Sequence, residues 1–200
     1  MREIRDEVVN LTSSPLYEFR TENGYLPVLG EGSHDASIMF IGEGPGLNEA
    51  KTGRPFCGAA GKILDQLLED VHIPRCEIYI TNIIKDRPPQ NRDPLPAEIE
   101  IYAPFLDRQI EIIEPKVIAT LGRYAMVYVM EKFGLDAQIE PISTAHGKEY
   151  GVQTLFGSLI IIPLYHPAVV IYNNKMLGAL REDFKKLETY HKGVPNKTKP

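Results

Sequence analysis

The sequence predicts an α/β domain, a sheet of four buried parallel strands covered by helices on both faces. Three observations lead there. Four short runs, 36–41, 78–83, 117–121 and 159–163, are near-continuous in Ile, Val, Leu and Met rather than alternating, as strands buried on both faces are. Helical periodicities fill the intervals, and strands alternating with helices imply right-handed crossovers. A polar segment follows each run, and ligands in such sheets bind beyond the carboxyl ends of the strands.

The first run leads into GEGPG, 42–46. Three glycines in five residues allow positive φ and close approach of backbone N–H groups to a ligand. A dinucleotide fingerprint needs G-x-G-x-x-G and an acid after the second strand, and a P-loop needs GK[ST]. None of these is present, so the loop is either a tight turn or a ligand cradle. TGRPFCG, 52–58, sets Phe56 between two glycines ahead of a helix at 59–71, where Ile63, Leu64, Leu67, Leu68 and Val71 repeat at helical spacing. Phe56 is either a core residue or a surface on which a flipped base stacks. The second run ends in TNIIKDRPPQNRDP, 81–94. Its Asn82 can cap a turn, or its amide can match a pyrimidine edge with a donor and an acceptor together. A helix follows at 96–113, with Pro at its start, Glu98 soon after, and Ile99, Phe105, Leu106 and Ile110 on one face. The third run leads to Gly122–Arg123 and a helix at 123–133, and the fourth to LYHPA, 164–168, then a helix at 175–190. His166 is either structural or, held extended by Pro167, projects into the cleft.

Composition narrows the classes. The chain has 200 residues, enough for one domain with a sizeable core, expected over 1–192 with a flexible tail at 193–200. Its net charge of −5 and pI of about 5.6 argue against a protein that coats DNA non-specifically. They leave room for a local basic groove. Two cysteines, Cys57 and Cys76, support neither a disulfide framework nor a four-thiolate site. No apolar stretch is long enough for a membrane span, and the charged N-terminus lacks a secretory signal pattern. A cytoplasmic monomer is expected.

The motifs in order are GEGPG, an acid three positions later, GRPFxGxAGxxLD, YITNxxKxRPPxNRDPxPxEI, APFLxRQIExIxPKVIxxLGR and HPA. Together they resemble the family 4 uracil-DNA glycosylases of bacteria and archaea, from about residue 11 to 190. The resemblance implies a three-layer α/β/α sandwich with a four-stranded parallel sheet. It also implies an enzyme that flips uracil from single- or double-stranded DNA and hydrolyses its N-glycosidic bond, releasing free uracil and leaving an abasic site. By resemblance, Glu43 and the Gly44 backbone line the catalytic pocket. Glu49 narrows it around uracil C5, Phe56 stacks on the base, Asn82 reads it, and His166 stands at its O2 side. Val170 falls in the segment that wedges into the duplex. Arg54, Lys85, Arg87 and Arg123 are candidate phosphate contacts, with solvated surface charge as the other reading.

One departure matters. The family usually holds a [4Fe–4S] cluster on four cysteines, and the corresponding positions here read Leu11, Ser14, Asp86 and Tyr102. Two cysteines elsewhere cannot replace four, so no metal or cofactor is expected. Apolar packing of Leu11, Leu16 and Tyr102 is the expected substitute, with Asp86 paired to an arginine or capping a turn. Tyr172 stands where many relatives have Arg, and the basic, histidine-bearing insertion of relatives that trap DNA covalently is absent. Two other classes remain: a uracil-DNA or abasic-site binding module without catalysis, and a nucleotide-binding α/β protein.

Overall fold

The computed structural model describes residues 1–192, so the expected tail at 193–200 lies outside the described residues. The chain runs α1 (Arg2–Val9), α2 (Tyr17–Glu22), β1 (Glu31–Gly32), β2 (Ile38–Gly42), α3 (Leu47–Thr52), α4 (Ala59–Asp70), β3 (Tyr79–Asn82) and α5 (Pro96–Ile113). It continues with β4 (Val117–Leu121), α6 (Arg123–Lys132), α7 (Ile142–Ala145), β5 (Tyr150–Thr154), β6 (Gly157–Leu164), α8 (Val169–Tyr172) and α9 (Met176–Lys192). The sheet order is β1-β3-β2-β4-β6-β5. The four central strands are parallel, as expected. Two short strands that the sequence reading did not foresee, β1 and β5, extend the sheet antiparallel at its edges.

Side-chain alternation divides the core into two layers. Met39, Ile41, Ile118 and Ile161 face one side, where they pack with α1, α5 and α6. Ile38, Phe40, Ile80, Val117, Ala119 and Ile162 face the other, with α4 and α9. Period-2 alternation of residues that are all apolar is what a doubly covered sheet needs. α5 begins where its signals stand: Pro96 takes the first position, and the Glu98 carboxylate accepts the Leu95 backbone N–H at 2.8 Å.

Where the resemblance implied a metal cluster, α1 and α2 are fastened to the body by a buried polar bracket. Ser14 Oγ and the Tyr102 hydroxyl lie 2.8 Å apart, and that hydroxyl donates to Asp86 Oδ2 at 2.6 Å. The Arg20 guanidinium lies 3.3 Å from Asp86 Oδ1 and donates to the carbonyls of Val8 and Val9 at 3.0 and 2.6 Å. Ser14, Arg20, Asp86 and Tyr102 are all buried. Burial raises the Asp86 pKa, and the Tyr102 hydroxyl and Arg20 offset part of that rise. Leu16 is buried and Leu11 packs against the same core, so the expected apolar contribution is present. The centre of the substitute is nonetheless polar, with Asp86 paired to an arginine.

Candidate active site

The sheet order reverses beside β2, whose partners are β3 on one side and β4 on the other. A cleft opens there at the carboxyl ends of the strands, as the doubly wound topology requires. It has a volume of about 460 Å³ and is lined by all six residues assigned to catalysis or base binding: Glu43, Gly44, Glu49, Phe56, Asn82 and His166.

Asn82 ends β3, paired with Gly42 at the end of β2. Among the described residues, two buried side-chain polar atoms have no hydrogen-bond partner, Asn82 Oδ1 and Thr120 Oγ1. An unpaired buried acceptor is costly, and Asn82 lines the cavity, so its Oδ1 is the acceptor that a ligand donor would satisfy. Gly42 makes room for it: a Cβ there would lie 2.4 Å from Asn82 Oδ1 and 2.8 Å from Phe56 Cζ.

Phe56 is buried and takes a left-handed φ of 47°, a conformation an aromatic residue holds only when its surroundings fix it. Those surroundings include Glu49 on α3, whose Oε1 accepts the backbone N–H of Cys57 at 2.9 Å and of Gly58 at 2.7 Å. The Phe56 and His166 rings stack with centroids 5.6 Å apart.

His166 follows β6. Its Nδ1 accepts the Ala168 backbone N–H at 3.2 Å, so Nδ1 carries no proton and, in the neutral ring, Nε2 does. Burial lowers its pKa from 6.5 to about 4, against a smaller opposing effect of Glu49. The ring keeps some surface open to the cavity, but most of its surroundings are protein, and the imidazole is neutral at pH 7.

Glu43 is held from the third loop. Its Oε1 accepts the Tyr124 backbone N–H at 3.0 Å at the start of α6, a favourable place for a carboxylate. Gly122, with φ 99°, admits it, since a Cβ there would lie 2.3 Å from Glu43 Oε1. Burial raises the Glu43 pKa, offset in part by the Tyr124 N–H.

Two assigned residues are corrected. Lys85 is not a phosphate contact: it is wholly buried, with its ammonium bonded to Thr81, Asn82 and Gln109. Val170 is not the wedge, because it faces the core beside α9 and is 9% exposed. On the same turn of helix Ile171 is 51% and Tyr172 88% exposed, and Tyr172 also lines the cleft. The remaining cations are outward. Arg54 is held by Glu31, Arg87 by Asn91 and the Tyr25 ring, and Arg123 by Tyr124. Pro88, Asn91, Arg92 and Asp93 add a wall that the sequence reading missed. Its one local sign was an Asn in a Pro-rich turn, and Gln90 and Asn91 both take left-handed φ there.

Residues 29–189 match the model of the uracil DNA glycosylase superfamily. A type-4 uracil-DNA glycosylase of Sulfurisphaera tokodaii is 44% identical over 94% of this chain and 83% of its own. One of Archaeoglobus fulgidus is 42% identical over 84% of this chain and 82% of its own, and one of Thermotoga maritima 38% over 96% and 95%.

Proposed function

Since the chain belongs to the uracil DNA glycosylase superfamily, among its type-4 members, we propose that it excises uracil from DNA by hydrolysing the bond between the base and the sugar. The observation that carries this is the unpartnered Oδ1 of Asn82, a residue that lines the cavity. Uracil N3–H is a donor of the required kind. Cytosine offers a lone pair at that atom, and a mismatched polar edge in a dry pocket is rejected strongly.

The base must leave the stack, at a cost of a few kcal/mol that is least at a mismatch or in a single strand. Phe56 then stacks on it, Asn82 binds its N3/O4 edge, and Glu49 closes on C5, where thymine carries a methyl. As the C1′–N1 bond breaks, positive charge grows on the sugar and negative charge on uracil. The His166 Nε2–H donates to O2 of the departing anion, stabilising charge that develops only in the transition state. Water adds to C1′ and its proton is released. The Glu43 carboxylate, tied by one oxygen to α6, leaves the other for the sugar cation or the attacking water. The exposed Ile171 and Tyr172 fill the gap in the duplex, and Arg54, Arg87 and Arg123 contact phosphates.

An iron–sulfur cluster does not fit the positions that the resemblance marks for one: Leu11, Ser14, Asp86 and Tyr102 offer no thiolate, and the three polar ones are engaged within the Arg20 bracket. Among the described residues no group of three or more His, Cys, Asp or Glu could hold a metal. The missing thiolates at those four positions support the reading of a glycosylase without the cluster, and a cytoplasmic monomer is proposed with it. No helix among the described residues is long and apolar enough to cross a membrane.

Strand-cleavage assays on uracil-containing single-stranded DNA test the site. Asn82→Ala and His166→Ala should each lower excision about a hundredfold or more. Wild-type rates in both would remove the assignment, and DNA binding without abasic product would favour a binding module. Iron analysis should find none, and absorbance near ~400 nm would contradict the cluster-free reading.

A further inference from the structure

Lys85 is the largest departure from the expected distribution of charge. Its Nζ lies 2.7 Å from the Asn82 carbonyl oxygen, 2.8 Å from Thr81 Oγ1 and 2.6 Å from Gln109 Oε1. The donors of its partners point away from it. Thr81 Oγ1 donates its proton to the Leu29 carbonyl at 2.7 Å, and Gln109 Nε2 donates to the same carbonyl at 2.8 Å. Toward Lys85, then, all three partners are acceptors, and an ammonium has three protons to give and no lone pair. Serine, threonine or glutamine in its place would leave at least one acceptor empty.

The position of this node is informative. β1 pairs with β3 only as far as Ile80, so the Asn82 carbonyl lies past the end of that strand. On the other side, the Ile83 and Ile84 N–H groups bond to the carbonyls of Gly42 and Glu43 at 2.9 and 3.2 Å. The peptide after Asn82 is thus fixed on the β2 side by backbone and on the α5 side by Lys85. A buried cation without a carboxylate in contact is expensive, and burial pushes the Lys85 pKa well below the ordinary lysine range. An apolar side chain would fill the same space at lower cost but would leave the Asn82 carbonyl without a donor, its peptide held from the β2 side alone.

We propose that Lys85 is a positioning residue for base recognition: from behind β3 its ammonium holds the Asn82 carbonyl and thereby fixes the aim of the Asn82 side chain into the cavity. This rests on reading the cavity as the uracil site. Lys85 need not touch substrate; it acts through Asn82, so its contribution should exist only while the Asn82 amide is present.

A double-mutant cycle of Lys85→Met and Asn82→Ala tests this, using single-turnover excision from uracil-containing single-stranded DNA. Lys85→Met should lower the rate at saturating enzyme about tenfold to a hundredfold, the scale of a small misplacement, and leave half-saturation within about threefold because phosphate contacts lie elsewhere. In the Asn82→Ala background the same change should alter the residual rate by less than about threefold. A Lys85→Met enzyme with the wild-type rate, or equal losses in both backgrounds, overturns the assignment, the latter marking a merely structural residue. Full activity in Asn82→Ala overturns the reading of the cavity and this proposal with it; a normal Asn82→Ala loss beside an inert Lys85→Met overturns this proposal alone. If Lys85→Met is unfolded at the assay temperature, Gln109→Met enters the same cycle. It removes one acceptor and should cost about threefold only when Asn82 is present, and equal losses in both backgrounds again overturn the proposal.

Discussion

Replacing Arg20 by Met should unfasten the N-terminal segment. Arg20 and Asp86 are both buried, with side-chain exposures of 5% and 0%, and the guanidinium also serves the Val8 and Val9 carbonyls. Met fills much of the volume, so the loss is mostly electrostatic. It leaves a buried carboxylate facing only the Tyr102 hydroxyl, and two carbonyls without their donor. Breaking a buried ion pair on one side costs about 3–5 kcal/mol, out of a total near 5–15 kcal/mol for a domain. At roughly 2–4 °C per kcal/mol for a chain of this size, Tm should fall by about 6–20 °C. The assay is urea unfolding followed by far-UV circular dichroism, with Arg20→Met/Asp86→Leu as the companion. The double variant removes the stranded charge and should recover most of the loss, since an apolar pair often replaces a buried ion pair at little cost. An Arg20→Met change below about 1 kcal/mol, the scale of exposed ion pairs, or a double variant no better than the single, would refute the bracket as the fastening.

Four further predictions follow from the site. Because the His166 pKa is lowered from 6.5 to about 4, the unfolded chain binds a proton between those values that the folded chain does not. Stability should therefore fall as pH drops through that window, by at most about 3 kcal/mol, and less because part of the ring is open. Titrating Tm in wild type and His166→Gln isolates the contribution, and identical slopes would refute it. The excision rate should be insensitive to His166 titration from pH 6 to 8 and fall only toward pH 4, where the protonated ring loses the Ala168 N–H; an acid limb centred near 6.5 would contradict the neutral imidazole. Ile171→Ala/Tyr172→Ala should slow excision from duplex DNA about tenfold or more while sparing single strands, because only the duplex must be wedged open; equal losses on both substrates would refute the wedge. Glu49→Ala strips the acceptor from two backbone N–H groups and should cost about 1–3 kcal/mol, measured by urea unfolding; a loss below about 0.5 kcal/mol would mean that the carboxylate does not tie the Phe56 loop.

The parallel core was legible because burial on both faces makes its strands near-continuously apolar, and Val117–Leu121 was delimited to the residue. β1 escaped because two residues carry no periodicity, and β5 because YGVQT is an edge strand with alternate residues exposed. The cleft positions of Asn82 and His166 were legible because Asn82 ends one strand and His166 follows another at the carboxyl edge; their roles came from the resemblance. Lys85 was misread for a physical reason: a lysine in a basic, polar segment is ordinarily solvated, and nothing in TNIIKDRPP states that the chain turns its fourth and fifth residues after Thr81 inward. Val170 was misread because in a single turn of apolar helix, VVIY, sequence alone does not say which residue faces the core.

The misread Lys85 and the expected arginine partner Asp86 are consecutive, and that adjacency has a consequence. Lys85 anchors to β3 and α5, Asp86 anchors to Tyr102 and Arg20, and the wall formed by Pro88, Asn91 and Asp93 begins two residues later. Four thiolates on a metal would hold such a segment through directional bonds; here the buried Lys85 and Asp86 side chains hold it through matched donors and acceptors. Directional polar contacts fix one arrangement where apolar packing of Leu11, Leu16 and Tyr102 would admit several of similar energy. Asn82 and the cleft wall from Pro88 to Asp93 are thereby set by neighbouring residues of one segment. Loosening either anchor should disturb base recognition before it unfolds the sheet, whose parallel strands are paired independently of both.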